Sequence, residues 1–179
     1  MNAVKTEIKT YQVDPVHSAV GFMIRHLVGR VEGRFNRFSG TVSMDSSALE
    51  TLKVEFSIEA DSVNTDNEHR DVHLRGADFF DVENFPTMTF VSHRAETLGS
   101  REFQVQGVLT LHGVSKEMTI PVTLLGVGEG TQGEVAGFAS EFTINRKEFG
   151  IVWNSLLDRG GTMLGDEVQV RLSVEAAAL

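Results

Sequence analysis

The segment Leu52-Lys53-Val54-Glu55-Phe56-Ser57-Ile58 carries apolar side chains at every second position, with polar side chains between them. Successive side chains of a β-strand point to opposite faces, so this period of two is typical of a strand with one buried face. Residues 168–174 repeat the pattern near the C-terminal end of the chain. The alternation therefore predicts a fold built mainly from β-strands.

Further strands are predicted from the same alternation. It appears wholly or in part at residues 18–26, 88–90, 103–111, 118–124 and 138–144. Residues 9–13 and 31–44 bring the total to about eight strands. Helical patterns are confined to the segments that connect the strands.

Two positions interrupt the strand pattern. Phe35 lies at an odd position and Phe38 at an even one, so a bulge near Asn36 or Arg37 is needed to turn both rings inward. Pro121 has no N–H to donate to a sheet and predicts another bulge or a local edge. Both features are expected within strands rather than at strand ends.

Strands with one apolar face form either a sandwich or a closed barrel, and periodicity does not separate the two. We favour an all-β, lipocalin-like antiparallel barrel, because eight strands can close around side chains or one ligand and closure removes the sheet edges. Residues 60–87 and 145–167 are far longer than hairpin turns and are expected to cover the barrel mouths. The clearest helix is predicted at residues 66–74, with Asp66 as its cap and with Val72 and Leu74 docked on the barrel.

Composition limits the classes of function. The chain has 179 residues, 41% hydrophobic and 23% charged, which predicts a single domain over residues 1–179. Its net charge of -9 argues against nucleic acid as a partner. The apolar run at residues 19–24 is too short to span a bilayer, so a soluble protein without membrane insertion is expected. No signal peptide is recognisable, which predicts a cytoplasmic protein if the N-terminus is native and a periplasmic one if a signal peptide was removed.

Phenylalanine dominates the aromatic residues, with 12 Phe against one Trp and one Tyr. Phe offers apolar area and no hydrogen bond, so the interior is expected to be unusually dry. The inward positions either fill a plain core, which is the commoner role, or line a pore for an apolar ligand. The candidate wall consists of Phe22, Phe35, Phe38, Phe56, Phe90 and Phe142, with Phe80 and Trp153 closing it from the long connections.

A basic segment at residues 25–37 stands out in this acidic chain. Arginine binds phosphate or carboxylate through a planar fork, so Arg25, Arg34 and Arg37 are candidates for the polar head of an amphipathic ligand. His26 lies on the same strand face as Phe22 and is a fourth head-group candidate. The alternative is a solvated barrel exterior, on which arginine stems cover apolar surface.

Two sets of residues offer catalytic alternatives to ligand binding. His69 and His73 stand four residues apart in the predicted helix, a spacing that can place both rings on one metal ion in an enzyme. Asp14, His17 and Ser18 are the residue types of an acyl-transfer triad, but His17 and Ser18 point to opposite faces of a strand. A third class is an interaction module whose core is closed by its own side chains.

A set of motifs resembles a known family, the YceI-like polyisoprenoid-binding proteins, over residues 11–174. The motifs are Asp14-x-x-His17-Ser18-x-x-x-Phe22-x-x-x-His26, Gly33-x-Phe35-x-x-Phe38-x-Gly40, Asn67-x-x-Arg70-Asp71-x-His73-Leu74-x-x-x-Asp78-Phe79-Phe80-Asp81, Phe85-Pro86-x-x-x-Phe90, Phe149-Gly150-x-x-Trp153 and Gly165-Asp166. The resemblance implies a lipocalin-like barrel, commonly a homodimer, whose apolar pore holds an isoprenoid tail with its head near a mouth.

Several functional expectations come from this resemblance. It implies transport or storage of a long-chain isoprenoid or related lipid, without catalysis, cofactor or metal. It also implies that the segment Arg70-Asp71-x-His73-Leu74 is a scaffold for a covering loop rather than a set of metal ligands.

Overall fold

A computed structural model describes residues 7–179 of the protein. Within that range the chain forms eleven β-strands and one α-helix, α1 (Glu68–Arg75). The strands are β1 (Lys9–Val13), β2 (Ala19–His26), β3 (Gly29–Phe35), β4 (Phe38–Asp45), β5 (Ala48–Glu59), β6 (Val63–Asn64), β7 (Thr87–Thr97), β8 (Glu102–Leu111), β9 (Val114–Gly130), β10 (Gly133–Asn145) and β11 (Leu164–Ala178). Short 3-10 turns lie at Pro15–His17, Ala60–Ser62 and Arg146–Phe149.

The strands form one antiparallel sheet that closes into a barrel. β11 pairs with β2 along most of its length and with β1 near its C-terminal end. β3 pairs with β2, and β4 pairs with β1. β5 pairs with β4, and β6 pairs with β3. The six strands β1 to β6 thus occupy three strand positions of the barrel, each interrupted once: β1 with β2, β3 with β4, and β5 with β6. Pairing of β1 with β11 completes a barrel of eight strands. The predicted lipocalin-like antiparallel barrel is confirmed.

The irregularity between Phe35 and Phe38 is a break in a strand. β3 ends at Phe35 and β4 begins at Phe38, so Asn36 and Arg37 form a two-residue interruption rather than a bulge inside one strand. Both rings are buried as a result. Pro121 lies within β9, just beyond the point where the pairing of β9 with β10 ends at Thr123, which is the predicted local edge.

The end of the barrel at which β10 begins is filled by the protein's own side chains. Tyr11, Met44, Phe103 and Val105 are each at most 1% exposed there. Leu124, Ala136 and Ala176 pack among them. These side chains form a conventional core and close this end of the barrel.

Both long connections lie at the opposite end. The first connection, residues 60–86, joins β5 to β7, and the second connection, residues 146–163, joins β10 to β11. Because neighbouring strands alternate in direction, the end of β5 and the end of β10 are on the same side of the barrel. The sequence predicted covers for the barrel mouths, and the structure places both covers over one mouth.

Helix α1 in the first connection differs from its predicted position. It begins at Glu68, and the Asn67 side chain caps it by accepting a hydrogen bond from the Arg70 N–H. Asp66, the predicted cap, has a φ of 59° and lies outside the helix. Within residues 7–179, no helix is long and apolar enough to cross a membrane.

Tyr11 links the filled end to the start of β10. Its hydroxyl donates a hydrogen bond of 2.6 Å to Glu134, and burial together with this carboxylate raises the pKa of Tyr11 to about 12. The folded state therefore keeps a proton that the unfolded chain loses near pH 10. We expect the free energy of unfolding to fall between pH 10 and pH 12, by at most about 1.4 kcal/mol per pH unit.

Urea unfolding of the wild-type protein and of Tyr11→Phe at pH 8, 10, 11 and 12 checks this expectation. Lysine deprotonation contributes equally to both proteins, so the difference between them isolates Tyr11. The variant should be less stable at pH 8, and the gap should narrow as the pH rises. A gap that stays constant up to pH 12 would contradict the raised pKa of Tyr11.

Candidate ligand cavity

The covered half of the barrel is hollow. A cavity of about 340 Å³ lies beneath the two connections, within the usual range of roughly 300–1,000 Å³ for ligand pockets. Apolar side chains from the strands make up most of its wall, and Val54, Ile58, Met88, Met118 and Val170 are examples. The alternation of these strands turns one apolar face inward, and among residues 7–179 no side chain fills the hollow half.

Most of the predicted aromatic wall lies along this cavity. The lining includes Phe22, Phe35, Phe56, Phe80, Phe90, Phe142 and Trp153. Phe38 does not line it, and its ring stacks on that of Phe56, with the two ring centroids 5.8 Å apart and the ring planes nearly parallel. Phe38 is therefore a packing partner of the wall.

Aromatic contacts join the connections to each other and to the strands. Phe80 of the first connection meets Phe35 edge-on, at 5.5 Å between centroids. Trp153 of the second connection contacts His73 at 4.9 Å and Phe79 at 5.3 Å. Such pairs favour defined ring orientations. The two connections thus form one roof over the cavity.

Hydrogen bonds to Thr65 hold the first connection together. The buried carboxylate of Asp71 accepts hydrogen bonds from the Thr65 N–H at 2.9 Å and the Thr65 hydroxyl at 2.5 Å. Arg70 donates to the hydroxyl and the carbonyl of the same residue. Leu74 lines the cavity, whereas Val72, which was expected to dock, is 58% exposed. Arg70 and Asp71 have the geometry of a loop scaffold.

The three arginines chosen as head-group candidates lie outside the cavity lining. Arg34 forms a double hydrogen bond with Asp66, and Arg37 pairs with Glu59 and Asp61. Arg25 donates to the backbone carbonyls of Leu27 and Thr162. Strand alternation turns Arg25 and Arg34 away from the inward face. Arg37 lies in the break between β3 and β4, where its guanidinium reaches those two carboxylates.

The three candidate histidines, His26, His69 and His73, lie in different environments. His26, the fourth head-group candidate, does line the cavity. His73 contacts Trp153 and has its Nε2 2.8 Å from a carboxylate oxygen of Asp78, while His69 is exposed on α1. Among the described residues, these two histidines do not belong to a group of three potential metal ligands.

One such group does exist at Asp14, His17 and Glu175, on the outer surface. The hydrogen bond between His17 and Asp14, 2.7 Å long, raises the pKa of His17 and lowers that of Asp14. Ser18 is not part of this arrangement, because its hydroxyl donates to the carbonyl of Glu175 and accepts from the N–H of the same residue. The hydroxyl thus ties the residue that precedes β2 to β11, and the residues of the supposed triad do not converge.

Sequence reasoning missed two arginines of the cavity lining, Arg70 and Arg146. Arg146 is only 3% exposed and begins the second connection. The inward positions of β10 are even-numbered, including Phe138, Phe142 and Ile144, and Arg146 continues that series. Extending the alternation by one step would have found it.

An eight-stranded antiparallel barrel, filled at one end and hollow beneath two covering connections at the other, defines a lipocalin-like barrel. The chain belongs to the YceI-like family, whose domain matches residues 11–176. A UPF0312 protein of Staphylococcus aureus strain USA300 is 38% identical over 168 residues, which cover 92% of this chain and 95% of that protein.

Solved structures share the fold. BcnA of Burkholderia cenocepacia aligns with a TM-score of 0.82 at 26% identity, over 92% of this chain and 99% of that one. The YceI protein of Campylobacter jejuni aligns with a TM-score of 0.75 at 31% identity, over 87% and 90%. A polyisoprenoid binding domain from Saccharophagus degradans aligns with a TM-score of 0.71 at 16% identity, over 94% and 98%.

Proposed function

We propose that the protein binds a long-chain isoprenoid, or a similar amphipathic lipid, in the hollow half of the barrel and does not transform it. The observation that carries this proposal is the cavity of about 340 Å³ with its nearly continuous apolar wall. A closed interaction module would fill this space with its own side chains. The Saccharophagus degradans relative, a polyisoprenoid binding domain with the same fold, supports the choice of ligand class.

Hydrophobic burial supplies enough free energy for such binding. A tail of about 20 carbons, at roughly 0.8 kcal/mol each, nominally gives near 16 kcal/mol before the costs of ordering the chain. That value already approaches the ceiling for non-covalent association. Added tail length therefore cannot convert fully into affinity, and selectivity is expected to depend on the polar head.

Binding without catalysis is the better account of the polar residues as well. The hydroxyl of Ser18 is engaged by the backbone of Glu175, and His73 is engaged by Asp78. The Ser18 hydroxyl would lose its bonds to Glu175 on acting as a nucleophile, and within residues 7–179 His73 does not belong to a group of three potential metal ligands.

Native mass spectrometry of the protein as isolated tests the proposal. We expect a population with extra mass, and solvent extraction should release a lipid with a long apolar chain. Delipidated protein should bind geranylgeraniol in a fluorescence displacement assay. Failure to bind any long-chain amphiphile would contradict the proposal.

The homodimer, the choice between transport and storage, and the cellular compartment stay predictions from the sequence. Light scattering after size-exclusion chromatography, with and without bound lipid, measures the oligomeric state directly.

A further inference from the structure

The ionisable side chains of the cavity wall are all of the basic types. Arg70 and Arg146 belong to the lining, with His26 and His73, and within residues 7–179 the lining contains no Asp or Glu. This is unexpected in a chain with 25 acidic and 16 basic residues. A wall that excludes carboxylates and retains guanidinium groups favours a ligand that brings negative charge.

Arg146 is held by backbone carbonyls alone. Its Nε donates to the Gly165 carbonyl at 2.8 Å, and its Nη1 donates to the carbonyls of Ile151 and Trp153 at 3.0 and 2.8 Å. These bonds fix the guanidinium beneath the second connection. They use three of its five N–H donors.

The remaining two donors, both on Nη2, have no partner. Nη2 of Arg146 is buried and is the one buried side-chain nitrogen or oxygen in residues 7–179 without a hydrogen bond. No carboxylate forms a salt bridge with Arg146 in that part of the chain, and nearby Asp166 pairs with Lys147 at 3.1 Å. Burial lowers the pKa of Arg146, and the negative charge of Asp166 offsets only part of this effect.

A buried cation with an unpaired hydrogen-bond donor destabilises a folded protein unless another group supplies the missing acceptor. The other three donors of Arg146 already have carbonyl acceptors. A rearrangement of the second connection that gave Nη2 a partner would break these hydrogen bonds. Arg146 also lines the cavity. The missing acceptor is therefore expected in the cavity itself.

We propose that Nη2 of Arg146 binds an anionic oxygen, a carboxylate or a phosphate, on the head of the amphiphile that occupies the cavity. This inference rests on the proposed function and names the chemical class of the ligand head. The head would lie beneath the roof made by the two connections, and the apolar tail would extend toward the filled end of the barrel. Arg146 then serves as a specificity-determining residue.

Three probes with the same C20 tail test the proposal. They are geranylgeraniol, geranylgeranoic acid and geranylgeranyl monophosphate, which carry a neutral, a carboxylate and a phosphate head. Dissociation constants are measured at pH 7.5 by displacement of a fluorescent fatty-acid analogue from delipidated protein. We expect at least one anionic probe to bind ten times more tightly than the alcohol, because hydrogen bonds to charged groups are the stronger class.

Arg146→Gln should abolish this preference, so that the variant binds geranylgeraniol and the two anionic probes with affinities within about threefold of one another. Lys147→Gln is the matched control, since it removes the same charge from the neighbouring residue, which is exposed and paired with Asp166. The control should retain the tenfold preference. Circular dichroism and thermal melting establish that both variants are folded.

If Arg146→Gln does not fold, measurements of the three probes on the wild-type protein alone still test the proposal. Equal affinity for all three probes would refute the role of Arg146 while leaving the lipid-binding function intact. Failure of all three to bind would instead refute the lipid-binding function. As a second readout, geranylgeranoic acid labelled with ¹³C at the carboxyl carbon reports its own pKa when bound. We expect a value below that in detergent micelles, whereas an unpaired carboxyl in an apolar cavity would show a higher one.

Discussion

Phe56→Arg is expected to abolish lipid retention, with a loss of affinity of at least a hundredfold for geranylgeraniol. Phe56 lines the cavity, and its ring stacks on Phe38. An arginine at this position would place an unpaired charge against an apolar wall and would occupy part of the space for the tail. We expect a cost of about 3 kcal/mol in stability, from the lost ring contact with Phe38 and from the charge placed against the apolar wall, and circular dichroism must show that the variant is folded.

Val91→Arg is the matched control for this substitution. Val91 lies on β7 directly opposite Glu55, one register position from the pair formed by Phe56 and Phe90, and it is 47% exposed on the outer face. The control introduces the same arginine into the same part of the barrel without entering the cavity. It should retain wild-type affinity. Retention of lipid by folded Phe56→Arg would remove Phe56 from the ligand wall.

Gly107→Ala is expected to cost about 3 kcal/mol in stability and to lower the melting temperature by about 10 °C. Gly107 is buried on β8, and a Cβ atom there would lie 2.5 Å from the carbonyl oxygen of Val91 and 2.8 Å from the Cα of Ser92. It would also lie 2.7 Å from the ring of Phe90. Two of these three neighbours are backbone atoms, which cannot move away without shifting β7.

The close approach has a local cause. The register of β7 against β8 shifts between Ser92 and Arg94, directly beside the pair formed by Ser92 and Gly107. Gly128→Ala on β9 is the control, because nothing lies within 4 Å of the Cβ position there. Thermal unfolding of both variants measures the effect, and the control should change stability by less than about 0.5 kcal/mol. Similar melting temperatures for the two variants would mean that β7 adjusts freely.

Strand positions were predictable because each strand buries one face. Phe56 and Phe142 could be placed on the inner wall from alternation alone, since a period of two is a property of the local backbone. Phe38 shows the limit of this argument. It faces inward and is buried, but whether an inward ring touches a cavity or another ring depends on its neighbour Phe56.

The ion-pair partners of the charged residues could not be predicted from the local sequence pattern. Arg34 looked free to hold a ligand head, but its partner Asp66 lies 32 residues away in the first connection. Asp66 itself was expected to cap α1, and its left-handed backbone conformation directs it elsewhere. Contacts of this kind are set by how the connections fold back over the barrel, which the sequence pattern does not encode.

Tyr11 and its neighbours fill one end of the barrel within residues 7–179, so a lipid bound as proposed would enter and leave at the end that the two connections cover. With its tail inserted toward Tyr11 and Phe103, its polar head would face that opening. An acceptor of the lipid would then meet the head before the tail, on the side where Trp153 packs against Phe79.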